Sequence, residues 1–125
     1  MPLLQFDASF PVEEGDAEAF AEAVTDYYTE EMATSSGHVA VVMRDEMTLT
    51  LGRATGDRLL FLDAEIRQGR EFEHKRAFAL AVMEDANERF DVPKSNLKVV
   101  FTEHAGEEMM GYDRVGGEWS PDESA

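Results

Sequence analysis

Three short segments of this chain return, in the same order, in its second half. Leu3-Leu4-Gln5-Phe6-Asp7-Ala8 reappears as Leu59-Leu60-Phe61-Leu62-Asp63-Ala64. Ala19-Phe20-Ala21-Glu22-Ala23-Val24 reappears as Ala77-Phe78-Ala79-Leu80-Ala81-Val82, and Ala40-Val41-Val42-Met43 as Lys98-Val99-Val100-Phe101. The first match is offset by 56 residues and the other two by 58, so the halves differ by a two-residue insertion after the first strand. Chance supplies one such match easily; three in order point to one supersecondary unit written twice.

Each half reads as strand, helix, strand. In the first, a strand over 3–9 ends at Pro11 and Gly15, and a helix is expected over 16–32 with Asp16 as its N-cap. Phe20, Ala23, Val24, Tyr27 and Tyr28 follow the spacing of one apolar helical stripe. Thr34-Ser35-Ser36-Gly37 breaks the helix, a second strand covers 38–44, and a short strand is expected over 48–51. The second half gives a strand over 58–66, a helix over 71–90 that Pro93 closes, and a long strand over 96–103. Two right-handed βαβ units build a four-stranded mixed sheet with two helices on one face, an α/β (α+β) architecture. A pseudo-two-fold axis would pair the two equivalent first strands antiparallel. One domain is expected over 1–119, with repeats over 2–46 and 58–104, a tail over 105–119, and a disordered acidic end over 120–125. No segment remains to cover the other sheet face, so oligomerisation through it is expected.

The 125 residues suffice for one core, and the absence of cysteine excludes disulfides, thiolate metal sites and a Cys nucleophile. With 27 acidic against 11 basic residues, the formal charge of −16 argues against nucleic acid or an anionic membrane as partner. No apolar run spans a bilayer and no signal peptide is recognisable, so a cytoplasmic protein is expected. The only lysines are Lys75, Lys94 and Lys98. An acidic, lysine-poor surface suits a high-salt cytoplasm, where screening reduces self-repulsion. A melting series from low salt to molar KCl tests this expectation, which unchanged stability would reject.

The same pairing bears on chemistry. It sets Pro2, at the start of the first strand, beside Ile66 and Arg67 at the end of its mate. Removal of Met1, favoured by a small second residue, would expose a secondary amine on a rigid ring, able to act as base or nucleophile. A reference α-amine has a pKa near 8, and work at neutral pH calls for less. Desolvation and neighbouring cations lower it; Arg67 and Arg70 could supply the cations and grip a carboxylate by paired hydrogen bonds. In the repeat Pro2 corresponds to Arg58, so only one end of the sheet can carry the amine.

Met1-Pro2, Ile66-Arg67-Gln68-Gly69-Arg70, Val99-Val100-Phe101, Met110-Gly111-Tyr112-Asp113-Arg114 and Gly117-Glu118-Trp119 together resemble the tautomerase (MIF-like) superfamily. Its members are small βαβ proteins that assemble as trimers or hexamers and use an amino-terminal proline. The chain looks most like the cis-3-chloroacrylic acid dehalogenase-like branch of fused βαβ–βαβ trimers. The resemblance implies a homotrimer that needs no cofactor, with Pro2 as general acid/base and Arg67 and Arg70 on the substrate carboxylate. Where those dehalogenases have a histidine late in the first helix this chain has Tyr28; Val100 replaces a strand tyrosine, and Gly111 replaces the water-activating glutamate. The catalytic aspartate of malonate semialdehyde decarboxylase has no counterpart in Thr34-Ser35-Ser36-Gly37.

What remains is keto–enol or allylic tautomerisation of a small anionic 2-oxo or 2-hydroxy-dienoate acid. Tyr28 is a candidate donor to the substrate, and Tyr112 and Arg114 are candidates to close the pocket from the tail. Two rivals stand beside this reading: decarboxylation, hydration or dehalogenation of a three-carbon acid at the same site, and a non-catalytic trimeric binding protein. His38, His74 and His104 lack ligand-like spacing, so no metal site is expected.

Overall fold

The structure is a computed structural model that describes residues 1–123. It contains strand β1 (Leu3–Ala8), helix α1 (Glu14–Glu31), strands β2 (Ala40–Arg44) and β3 (Leu60–Arg67), helix α2 (Phe72–Phe90) and strand β4 (Leu97–His104). They form one sheet in the order β2-β1-β3-β4. The outer pairs are parallel and the central β1–β3 pair is antiparallel. Phe6 lies opposite Leu62, its own counterpart in the repeat, so the pseudo-two-fold axis passes through that pair.

Strand alternation explains the core. Leu4, Phe6 and Ala8 on β1, with their repeat counterparts Leu60, Leu62 and Ala64 on β3, all point to the helix-covered face and are buried. The helices present equivalent stripes: Phe20, Val24, Tyr28 and Met32 from the first, Phe78, Val82, Ala86 and Phe90 from the second. Phe20 meets Phe6 edge-on at 4.9 Å and Phe90 at 5.1 Å, so the two stripes interlock through aromatic contacts. Burying each large side chain of this set contributes about 1.5–3 kcal/mol. Across the helix pair, the Tyr27 hydroxyl donates to Asp85 at 2.5 Å, and Arg89 grips the same carboxylate at 2.7 Å.

Three sequence expectations change. No strand forms over 48–51; the chain there is irregular and leads into a turn at 52–53. The fully buried Asn96 holds the end of this stretch through Thr55 N–H (2.9 Å), Thr55 C=O (2.7 Å) and Arg58 C=O (2.8 Å). Second, α1 starts at Glu14 after Glu13, with no side-chain cap, instead of at an Asp16 cap. Third, the register aligns the outer strands differently. Leu3 faces Ala40 and Leu60 faces Leu97, so Val41 corresponds to Leu97, two residues earlier than the match by composition. A slip of two leaves every side chain on its own face, so alternation alone could not reveal it.

Beyond β4 the tail makes a short 3-10 turn at Gly106–Glu108 and an isolated bridge between Met110 and Val115. It then recrosses itself backbone against backbone. A Cβ on Gly106 would meet Gly117 at 2.4 Å, and one on Gly116 would meet the Gly106 carbonyl oxygen at 2.7 Å. Residues 121–123 form a turn whose Glu123 side chain meets Arg67 and Thr34; Ser124 and Ala125, in the end expected to be disordered, lie outside the described residues. Among the described residues, no helix is long and apolar enough to cross a membrane.

Candidate active site

The first helix ends where the site begins. Its last carbonyls have no partner within the helix and are taken by side chains from elsewhere. Glu31 C=O accepts from His74 Nδ1 at 2.8 Å, which requires the proton on that nitrogen. Met32 C=O accepts from Arg70 Nε at 2.8 Å, and Ala33 C=O, from a residue in the left-handed region (φ 51°), accepts from Trp119 Nε1 at 3.0 Å. The carbonyl end of a helix attracts cations, which favours a guanidinium here. Gly69, at φ 117°, supplies the left-handed backbone that turns the chain from β3 into α2, so that Arg70 points inward.

Arg70 is therefore buried, at 7 % exposure, with its guanidinium carbon 5.6 Å from the Tyr28 ring and 5.2 Å from the Trp119 ring. Among the described residues, its Nη1 and Nη2 have no hydrogen-bond partner. Burial lowers its pKa first, and Arg67 adds to that. Unpaired buried donors of this kind cost about 1–3 kcal/mol and are filled in most proteins.

Pro2 is also buried, fixed by its carbonyl, which accepts from Ala40 N–H at 3.1 Å. The pairing of Leu3 with Glu65 puts Pro2 next to Ile66 and Arg67, as the sequence argument required. A cavity of about 270 Å³ opens here, lined by Met1, Pro2, Thr34, Ser35, His38, Arg67, Arg114, Gly116, Gly117 and Glu123. Arg67 donates through Nη1 to Gly117 C=O (2.9 Å), while its Nη2 pairs with the Glu123 carboxylate, which the Thr34 hydroxyl also reaches. Arg114 Nη1 lies 3.2 Å from His38 Nε2, so that nitrogen accepts and carries no proton.

The electrostatics follow from this crowding of cations. The terminal amine, here on the half-buried Met1, is brought from 8.0 to about 6 by burial first and then by Arg67 and Arg70, with a smaller push from Arg114 and an opposing pull from Glu123. Burial works against charge on Glu123, yet hydrogen bonds from Arg67 and Thr34 keep its carboxyl below the usual range. Burial pushes the Tyr28 phenol up to about 12 against the pull of Arg70 and Arg67, so it stays protonated.

Of the six residues singled out from the sequence, Pro2, Arg67 and Arg114 line the cavity. Arg70 stands behind it. Tyr28 sits in the core against Phe78 and under the Arg70 guanidinium, so it supports a cation and does not face the cavity. Tyr112 is fully exposed at the tip of the 110–115 turn, away from the cavity lining. Sequence reasoning missed Thr34, Ser35, His38 and Glu123. The first three were findable: the segment entering a strand parallel to β1 must lie at the Pro2 end. Glu123, one acid among 27, carried no signal.

Known structures place the fold. The chain superposes on N1, a member of the cis-3-chloroacrylic acid dehalogenase family, at 21 % identity and a TM-score of 0.79, covering 91 % of this chain and 84 % of that one. A macrophage migration inhibitory factor homologue from Prochlorococcus marinus gives a TM-score of 0.81 at 12 % identity over 92 % and 99 % of the two chains. FG41 malonate semialdehyde decarboxylase gives 0.74 at 18 % identity over 90 % and 91 %. No family model matches the chain, and no curated protein matches it. The protein thus has the fold of these structures, the four-stranded sheet with two helices that its duplicated βαβ pattern implied.

Proposed function

We propose that this chain is a tautomerase of small anionic 2-oxo or 2-hydroxy-dienoate acids, with the Pro2 amine as general acid/base once Met1 has been removed. The observation that carries this reading is the burial of Pro2 in a cavity it shares with Arg67, a setting in which burial, Arg67 and Arg70 already bring the neighbouring Met1 amine to about 6. An amine in this setting is largely unprotonated at neutral pH and can take a proton. In the proposed reaction the Pro2 nitrogen accepts the enol proton of the substrate. The electron pair of that O–H bond forms the keto group, the diene shifts, and the same nitrogen returns the proton to carbon. Arg67 and Arg70 offset the charge on the intermediate enolate and its carboxylate.

The proposed working unit is a homotrimer assembled through the sheet face that the helices leave bare. Leu3 and Val100 are exposed on that face, and Met110, Tyr112 and Val115 are exposed on the tail. In a protein with this net charge such apolar exposure is better suited to contact with further copies than to solvent.

The test is a substrate panel run on protein whose amino terminus has been read by intact mass. Isomer formation by the proline-terminated form supports the reading. Carbon dioxide or acetaldehyde in place of an isomer assigns the site to decarboxylation or hydration instead. A chain that keeps Met1 and still isomerises its substrate at full rate would falsify the proline mechanism, because the Pro2 nitrogen is then an amide.

A further inference from the structure

The cations around the cavity already hold a carboxylate of the chain's own. We infer that Glu123, carried on the carboxyl-terminal turn, is an internal competitor for the cationic seat beside Pro2, so that an anionic ligand binds by displacing it. The inference rests on reading the cavity as an anion site.

Three observations support it. Glu123 Oε2 accepts from both Arg67 Nη2 and the Thr34 hydroxyl, the two-donor grip that a small carboxylate ligand would make. Among the described residues the second guanidinium, Arg70, keeps Nη1 and Nη2 unpaired, and its charge reaches both Glu123 and the Met1 amine, so an incoming anion meets two cations of which only Arg67 bonds to Glu123. Among the described residues, the backbone hydrogen bonds of the turn are Glu123 N–H to Ser120 C=O at 3.0 Å and Asp122 N–H to Ser120 Oγ at 3.3 Å, both internal to it. The Glu123 side chain anchors it to the domain while a quarter exposed, at 26 %. Release therefore breaks a tether at the Glu123 head while Trp119 stays fixed on Ala33.

Such a tethered carboxylate acts at an effective concentration in the millimolar range, competing strongly with weak monoanions and little with ligands that engage both guanidiniums. The turn would thus act as a selectivity filter, admitting anions able to outbid a resident one.

The experiment is calorimetric titration of pyruvate, a small 2-oxo acid, into the full chain, into Glu123→Gln, and into a chain ended after Ser120. Glu123→Gln keeps a side chain of the same size, and the shortened chain removes the turn altogether. Both variants are expected to bind pyruvate about 3- to 10-fold more tightly than the full chain. Equal or weaker binding by Glu123→Gln overturns the inference, as does a lack of binding by all three proteins. Titration reads binding and not turnover. Tighter binding in a protein without isomerase activity upholds the competitor and rejects the tautomerase; activity with unchanged affinity does the reverse.

Discussion

The pseudo-two-fold axis gives the sheet two comparable ends, and each brings an arginine to the last carbonyls of a helix. At one end Arg70 Nε donates to Met32 C=O; at the other Arg58 Nη1 donates to Phe90 C=O at 3.0 Å, and Met32 and Phe90 are counterparts in the repeat. There the likeness stops. Arg58 is exposed, with its guanidinium 4.6 Å from the Phe10 ring, and the shallow cavity at its end, about 250 Å³, carries Glu13, Asp16 and Asp91 beside Arg58 and Arg89. The Arg70 end has Arg67, Arg70 and Arg114 against Glu123. Loop lengths separate the ends further. Counted from the counterparts Ala8 and Ala64, the path to α2 is two residues longer than the path to α1, and the α1–β2 connection is two residues longer than α2–β4. Both insertions fall at the Pro2 end, where they supply Gly69 and the Thr34–Ser35–His38 wall. One fold unit used twice thus gives a solvated, charge-matched end and a desolvated, cation-rich one, and only the second can lower the pKa of an amine.

The largest expected effect tests whether chemistry belongs to one end alone. Pro2→Ala should lower kcat/KM by about 10²- to 10³-fold on whichever acid the panel identifies, because ring amine and positioning are lost together. Arg58→Ala at the counterpart position should leave kcat/KM at the wild-type value; a parallel loss there would remove the distinction between the ends.

The pH profile comes next. The base must be unprotonated, and burial with nearby cations lowers an amine's pKa at this place, as it does for Met1, so activity should fall as pH drops below neutrality. Arg70→Met removes one of the cations that depress it, and its acid limb should move to higher pH. An unmoved limb would show that Arg70 does not act on the amine.

Asp85 measures the paired end in stability. It accepts from Tyr27 and Arg89, and although burial opposes its charge, those bonds hold its carboxyl below the usual range. Asp85→Asn should lower stability at neutral pH by about 1 kcal/mol without affecting activity. A depressed carboxyl contributes above its unfolded pKa, and the contribution disappears as pH falls through the folded value. Urea melts of the two proteins should therefore converge in acid.

The smallest effect is the thermal one at Arg70. Its two buried donors lack partners, so Arg70→Met should raise Tm by about 2–4 °C despite the lost bond to Met32. Arg58→Met, at an exposed position, should move Tm by less. A clear fall in Tm for Arg70→Met would mean that the guanidinium stabilises the fold and is not held there at its expense.

Much of the architecture was readable because it rests on periodicity. Leu4, Phe6 and Ala8 alternate, as do Leu60, Leu62 and Ala64, and Phe20, Val24, Tyr28 and Met32 recur at helical spacing. Those patterns place the strands, the helices and the shared core face. The antiparallel β1–β3 pairing followed from the repeat, and with it the approach of Pro2 to Arg67. The two-residue slip of the outer strands was hidden because it changes no side chain's face. Tyr28 and Tyr112 lie off this chain's cavity lining for opposite reasons: the first belongs to the helical stripe and is drawn into the core, the second sits at a turn tip that no local pattern aims anywhere.

The amino-acid order by itself determined the duplication, the place of each apolar side chain, and the fact that one strand begins with a proline while its counterpart begins with an arginine. Local spacing suffices for these, since burial follows the period of a helix or a strand. Only the tertiary structure decided that Arg70 turns inward beneath Trp119 while Arg67 takes the carboxylate of Glu123. Those contacts join the passage from β3 into α2 to a tail some fifty residues further along, and their strength depends on how much water the folded surroundings exclude, a quantity that no stretch of sequence carries.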